Sequence, residues 1–292
     1  MRIGRADRAF WAIVAVAAGV AAGAWAVLCC GAWALGLELA ARGWPALGEL
    51  RLVPALLLVA FLATALTLTV TSLVRQSLAT VRLDRSMKRR KLPAPPRLVA
   101  ASDAAELRPE AKLVELAAPF SCTYGVLRPQ VVISRGLLER VDDTELVAVL
   151  AHEAQHVRAH DPLKVVLARA LRQGLFVLPA LGALYDRYLT ARELAADRRA
   201  SRRVGVQGLA GALLKATGGP TELDVGAAAA LGGDRALDLR VAQLETGQAP
   251  PLAPLEQRCL GISATAALAI GAVMASAAIG LGPLVSRICH CP

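Results

Sequence analysis

The chain has 292 residues, 55% of them hydrophobic and only 4% aromatic, with a formal net charge of +10 and a mean hydropathy of +0.49. Such apolar content excludes an ordinary soluble domain and implies that part of the chain meets lipid. The excess of cations would suit a nucleic-acid binder, but its placement beside apolar runs fits lipid head groups instead, so no nucleic acid is expected as a direct partner.

Residues 10–37 carry no charged side chain, and neither do residues 52–74 or 260–285. Each run exceeds the roughly 20 residues that cross a bilayer core, so three membrane helices are predicted. The first run is far longer than the about 7–15 apolar residues of a secretory signal and reads as an anchor. Arg2, Arg5 and Arg8 precede it, and Arg75, Arg82, Arg85, Lys88, Arg89, Arg90 and Lys91 follow the second run. The loop 38–51 instead balances Glu38 and Glu49 against Arg42 and Arg51. By the positive-inside rule the amino terminus and the stretch after the second helix are cytoplasmic, and the short loop is external. The predicted divisions are 1–74, two transmembrane helices with that loop; 75–258, a cytoplasmic domain; and 259–292, a C-terminal transmembrane helix with a short external tail.

The six cysteines form no disulfide scaffold, since Cys29 and Cys30 lie in the first apolar run and Cys122 in the cytoplasmic part. Cys289, His290 and Cys291 end the chain on the external side, where they could pair or hold a metal, a tail without a role being the plainer reading.

Within the cytoplasmic part, "KLPAPPRL" at 91–98 reads as a stiff proline-rich linker. Short strands are predicted at 112–116, 119–125 and 130–134, and Pro129 at the start of the last suggests an edge. A helix is predicted over 144–160, where Asp142 and Glu145 have capping-box spacing and Leu146, Val149, Leu150 and Val157 recur at helical intervals. Asp161 and Pro162 end it and start another. Residues 163–189 are apolar but interrupted by Lys164, Arg169, Arg172 and Pro179, which suits a membrane-associated helical hairpin better than a crossing. A further helix is expected over 187–204, a Gly/Ala-rich loop over 218–233 and an amphipathic helix over 235–247.

The chemistry concentrates in "VLAHEAQHVRAHD", residues 149–161, which hold three of the four histidines. At 100° per residue Glu153 falls in the middle of the apolar stripe formed by Leu146, Leu150 and Val157. A carboxylate there needs a compensating partner, because an unpaired buried charge costs several kcal/mol. His152 and His156 lie one turn apart and can bind one zinc ion, while the adjacent Glu153 serves as general base: the His-Glu-x-x-His arrangement. Two surface histidines would be the plain alternative. Position 162 is proline, which excludes the longer metzincin pattern, and His160 reads as surface or outer shell. Glu193 and Asp197 in "ARELAADRRA" share one helical face at i,i+4, a like-charge pair that disfavours a helix unless compensated. Glu193 as third zinc ligand and Asp197 as the acceptor orienting His152 account for the pair; neutralisation by Arg192, Arg198 and Arg199 is the alternative.

"AVLAHEAQHVRAHDPL", "ARELAADRRA" and "LRVAQLETGQAPP", with the preceding "CTYGVLRPQVVISRGLLERVDDTEL", resemble the zinc-peptidase core of the BlaR/MecR-type membrane metallopeptidases over residues 115–255. The resemblance implies a mainly α polytopic membrane protein with a gluzincin-like α+β zinc metallopeptidase domain between membrane helices, in a bacterial inner membrane. It also assigns the third ligand role to Glu193. The chain departs from the beta-lactam receptors of this type in ending with "SRICHCP" rather than a penicillin-binding domain, so direct antibiotic sensing is not expected. It also shows two, not three, membrane helices before the catalytic part.

The expected activity is zinc-dependent endoproteolysis of a cytoplasmic or membrane-proximal protein in signalling, a transcriptional repressor or the chain itself. The substrate is expected to lie along a strand edge formed by Val131, Val132, Ile133 and Ser134, or by residues 120–124. Tyr185 or Tyr188 could stabilise an oxyanion, or pack against the hairpin. An HtpX-like quality-control protease is the runner-up, and a non-catalytic membrane sensor or scaffold the reading of another class.

Overall fold

A computed structural model describes residues 4–42, 53–216, 237–252 and 254–288. It divides into two compact units: Met1–Phe10, Ser72–Arg169 and Tyr185–Ala253 form one, and Trp11–Thr71, Ala170–Leu184 and Pro254–Pro292 the other.

The second unit holds most of the apolar helices. Helices α1 (Arg5–Arg42), α2 (Val53–Arg89) and the last helix (Gln257–Ile288) contain three segments long and apolar enough to cross a membrane, Arg5–Val27, Leu56–Arg89 and Gln257–Ser276. Trp25, Trp33, Leu56, Leu66 and Leu268 are exposed on them, a surface that suits hydrocarbon rather than water. Within this unit the methyl of Met274 sits where a Cβ on Gly23 would stand, 2.7 Å away, so the first and last spans pack through a small residue. The loop expected over 38–51 falls largely outside the described residues, as do the 218–233 segment and Cys289, His290 and Cys291.

The second span does not stop at its basic flank. Residues 75–89 continue α2 without a break, because nothing between Arg75 and Arg89 is a proline or glycine. The predicted linker that follows is partly structured: Lys91–Leu92 form strand β1, and Pro96–Ala104 form helix α3 with proline in its first turn.

Strands β2 (Lys112–Val114), β3 (Ser121–Tyr124) and β4 (Gln130–Ser134) complete a four-stranded sheet of order β1-β2-β4-β3. β4 pairs in parallel with β2 and antiparallel with β3. The β3–β4 connection needs Gly125, whose φ is +98° and where a Cβ would stand 2.5 Å from the Arg128 carbonyl oxygen.

This order corrects one expectation. Val131, Val132 and Ile133 do not lie on an edge but in an inner strand, each fully buried. Both sheet faces are covered. Val131 and Ile133 pack with Leu98, Leu137, Leu146 and Leu150 on one side, and Val132 packs with Leu83 and Met87 of α2 on the other. The uninterrupted apolar run that reads ambiguously in the sequence is what a strand covered on two faces requires. The outer strand beside it is β3, the other stretch considered.

Helices α4 (Arg135–Arg140) and α5 (Asp143–Ala159) follow. The α5 capping box is formed: Asp142 accepts from the Glu145 N–H, and Glu145 from the Asp142 N–H. His160 ends α5 in the left-handed region at φ 54° and turns the chain directly into α6 (Asp161–Gly174). α6 and the first part of α7 (Pro179–Ala216) make the expected hairpin, and its turn, Ala170–Leu184, clusters with the apolar helices. The helix expected over 187–204 is the continuation of α7, interrupted only at Gly205, φ +84°. Helix α8 (Leu237–Thr246) matches the predicted amphipathic segment, and Gln257–Ile288 is α9.

Candidate metal centre

α5 and α7 together place His152, His156 and Glu193 at one point. His152 Nε2 and His156 Nε2 lie 3.2 Å apart, Glu193 Oε2 is 3.4 Å from the first, and Glu193 Oε1 is 3.7 Å from the second. Ligand atoms on a tetrahedral ion with bonds of 2.0–2.1 Å stand about 3.3 Å apart, and one atom from each of these residues lies within 4.8 Å of the other two, close enough to hold one metal ion.

The outer ring nitrogens explain why lone pairs meet there. His152 Nδ1 is 2.9 Å from Asp197 Oδ1, and His156 Nδ1 is 2.7 Å from Asp161 Oδ2. A ring that donates Nδ1–H to a carboxylate presents a bare Nε2. Two imidazole rings and the Glu193 carboxylate then converge, an arrangement that favours a positive charge at this point. The electrostatics agree. Burial opposes charging of the His152 ring, yet the carboxylates of Asp197 and Glu193 outweigh it and push its pKa up to about 10. Burial would raise Glu193, but Arg192 and the two histidines hold it well below the usual carboxylate range.

Two elements anchor the supporting carboxylates. Asp197 is fully buried and receives both Arg240 Nε, at 2.6 Å, and Arg240 Nη2, at 2.8 Å, from α8. Gln243, one turn further on, donates to the Leu194 carbonyl. Asp161 accepts from the hydroxyl of Tyr188 at 3.0 Å. Against burial, His152 and Arg240 keep Asp197 low, and His156 keeps Asp161 low.

Glu153 follows His152 on α5, is buried, 5% exposed, and reaches strand β3. Ser121 Oγ donates to Oε1 at 2.9 Å and Thr123 Oγ1 to Oε2 at 2.6 Å. These two β3 hydroxyls are the compensation that its position in an apolar stripe demands. Each carboxylate oxygen can accept more than one bond, so neither is saturated.

The expected residues His152, His156 and Glu193 thus come together, with Asp197 on His152. Asp161, Arg240, Ser121 and Thr123 join them without having been foreseen, and Tyr188, considered for an oxyanion or for packing, joins them through Asp161. Asp161 reads as a helix start, and only the left-handed turn at His160 folds it back under His156. Tyr188 is fully buried, with its ring 5.9 Å from that of Phe10, so it orients Asp161 rather than meeting an oxyanion. The neutralising arginines are partly real as well: Arg192 Nη2 is 3.0 Å from Glu193 Oε1, whereas Arg199 turns away to Glu106. His160 is exposed.

Apolar helices long enough to span a membrane, together with an imidazole–carboxylate cluster of metal-binding geometry, define a membrane protein of the metallopeptidase class. A family model described as BlaR1 peptidase M56 matches residues 43–244, and the chain belongs to that family. No curated protein matches it.

Proposed function

We propose that the protein is an integral membrane zinc endopeptidase of gluzincin type, with its catalytic domain, residues 75–258, on the cytoplasmic face of a bacterial inner membrane. The observation that carries the reading is the convergence of His152, His156 and Glu193 at zinc-ligand spacing, with Glu153 on the same helix. A zinc ion held by these three residues supplies a Lewis acid that acidifies water and polarises a peptide carbonyl.

The chain's own groups do the rest. Glu153 accepts the proton of the attacking water and delivers it to the leaving amine. Ser121 and Thr123 fix its carboxylate; Asp197 and Asp161 fix the two imidazoles. The substrate lies extended along β3, which among the described residues pairs with β4 alone and so offers its other edge for strand addition. Because Ser121 and Thr123 sit on this strand, a bound peptide and the base share one rigid support. The substrate is a cytoplasmic or membrane-proximal protein cleaved in signalling, a repressor or the chain itself.

Two variants of the full-length protein in detergent test this. Glu153→Gln retains zinc by elemental analysis while cleavage of casein, or of the chain itself, is abolished. Glu193→Ala loses zinc. Retained cleavage in the first variant excludes Glu153 as base, and full zinc occupancy in the second excludes Glu193 as ligand.

A further inference from the structure

Beside the metal ligands lies a cavity of about 880 Å³ within the first unit, walled by α5, α7, the first residues of α1 and the segment after α8. Six guanidinium groups line it: Arg5, Arg192, Arg198, Arg199, Arg202 and Arg203. Three carboxylates share the lining, and each is already engaged. Asp7 is 2.6 Å from Lys164. Glu106 is held by Arg158, Arg199 and Arg203. Asp161 is bonded to His156 and Tyr188. Among the described residues no carboxylate reaches Arg198 or Arg202, and Arg5 donates only to the carbonyls of Ala249 and Pro250.

Arg192 is the telling residue. It is 3% exposed, its Nη2 faces Glu193, and its buried Nε has no partner; the buried Nε of Arg199 has none either. Buried N–H groups are rarely left unpaired, because burial strips their water without a replacement partner. Several positive charges and unspent planar donors around one half-open cavity call for an anion with several oxygens and more than one negative charge.

We propose that this cavity binds a phosphate group. Guanidinium presents paired N–H donors in one plane, matching two phosphate oxygens, and several such forks can serve one phosphate. A single carboxylate offers two oxygens and one charge and would leave most of these donors idle. The cavity also falls in the roughly 300–1,000 Å³ range of sites that enclose an organic ligand, so there is room for the ester as well as its phosphate. The phosphate belongs to a soluble ester or to a lipid head group. Arg5 opens the segment Arg5–Val27 that can span a membrane, which brings the second source within reach. The cavity shares Arg192 and Asp161 with the surroundings of the metal centre, so its test reads binding rather than cleavage.

The test uses full-length protein in nanodiscs of neutral phosphatidylcholine, titrated by calorimetry with inorganic phosphate and with glycerol 3-phosphate. In parallel, native mass spectrometry counts phosphatidylglycerol retained from mixed nanodiscs. One saturable site per chain is expected, weakened about tenfold or more in R198Q/R202Q, where two charge-assisted contacts are lost, and less in R198K/R202K. R82Q/R85Q on α2, outside the cavity, leaves it unchanged. Binding in neutral discs identifies a soluble ester; retention of one phosphatidylglycerol without soluble binding identifies a head group. No saturable binding in either arm, or equal weakening by the α2 variant, overturns the proposal.

Discussion

Arg240 grips Asp197 with a two-pronged bond, Nε to Oδ2 at 2.6 Å and Nη2 to Oδ1 at 2.8 Å, while Asp197 holds the Nδ1 of His152. A helix 40 residues downstream in sequence thereby sets the tilt of a metal-binding imidazole. Arg240→Ala leaves a fully buried carboxylate without its cation, a loss of about 3–5 kcal/mol for a buried pair. Zinc affinity is expected to fall about 10–100-fold, the usual effect of removing an outer-shell partner. Thermal unfolding of the zinc-free protein and chelator competition measure the two effects separately. Arg240→Lys restores charge but not the fork, so it recovers only part of the affinity.

Asp161→Ala removes the acceptor that keeps the Nδ1 proton on His156. A drop in zinc affinity of about 10–100-fold is expected. Tyr188→Phe takes one of the two bonds from Asp161, at a cost of about 1 kcal/mol in stability, and leaves cleavage nearly intact. A large loss of cleavage at normal zinc content in Tyr188→Phe would return that hydroxyl to the reaction.

Thr123→Ala frees one oxygen of Glu153 from its bond of 2.6 Å. The base then loses orientation, and kcat is expected to fall about tenfold, within the range that positioned proton transfer contributes. Zinc content stays the same, and KM changes little. Steady-state kinetics and elemental analysis of the parent protein and Thr123→Ala provide the check.

Glu106 joins three elements through Arg158 of α5 and Arg199 and Arg203 of α7. These arginines, Arg158 first, hold its pKa below the usual 4.5. A depressed carboxyl contributes stability above its unfolded pKa and loses that contribution as pH falls through the folded value. Glu106→Gln is therefore expected to melt below the parent protein at pH 7, with the gap closing as pH is lowered through 4.5 and beyond. Melting curves from pH 7 to pH 3, at low salt because the cluster is exposed, show whether it does.

Much of the architecture was legible in residue order. Charge-free runs longer than a bilayer core mark the spans, the Asp142–Glu145 spacing marks the start of α5, and His152, Glu153 and His156 share one helix whose periodicity fixes their relative directions. The edge strand was not legible. Val131, Val132 and Ile133 are as apolar as an exposed edge buried under substrate would be, and only pairing distinguishes the two. The carboxylate support was half legible: Asp197 follows from its spacing to Glu193, but Asp161 depends on one left-handed residue, and Arg240 on where α8 docks.

Residue order by itself determined the segments long and apolar enough to cross a membrane, the helix that carries the candidate metal centre and the candidate ligands, because helical period and apolar run length are local properties of a chain. Only the tertiary structure decided which strand is exposed, which carboxylate orients each imidazole, and that two hydroxyls on β3 hold Glu153. Those contacts join segments up to 45 residues apart, and their partners are chosen by packing, on which local periodicity is silent.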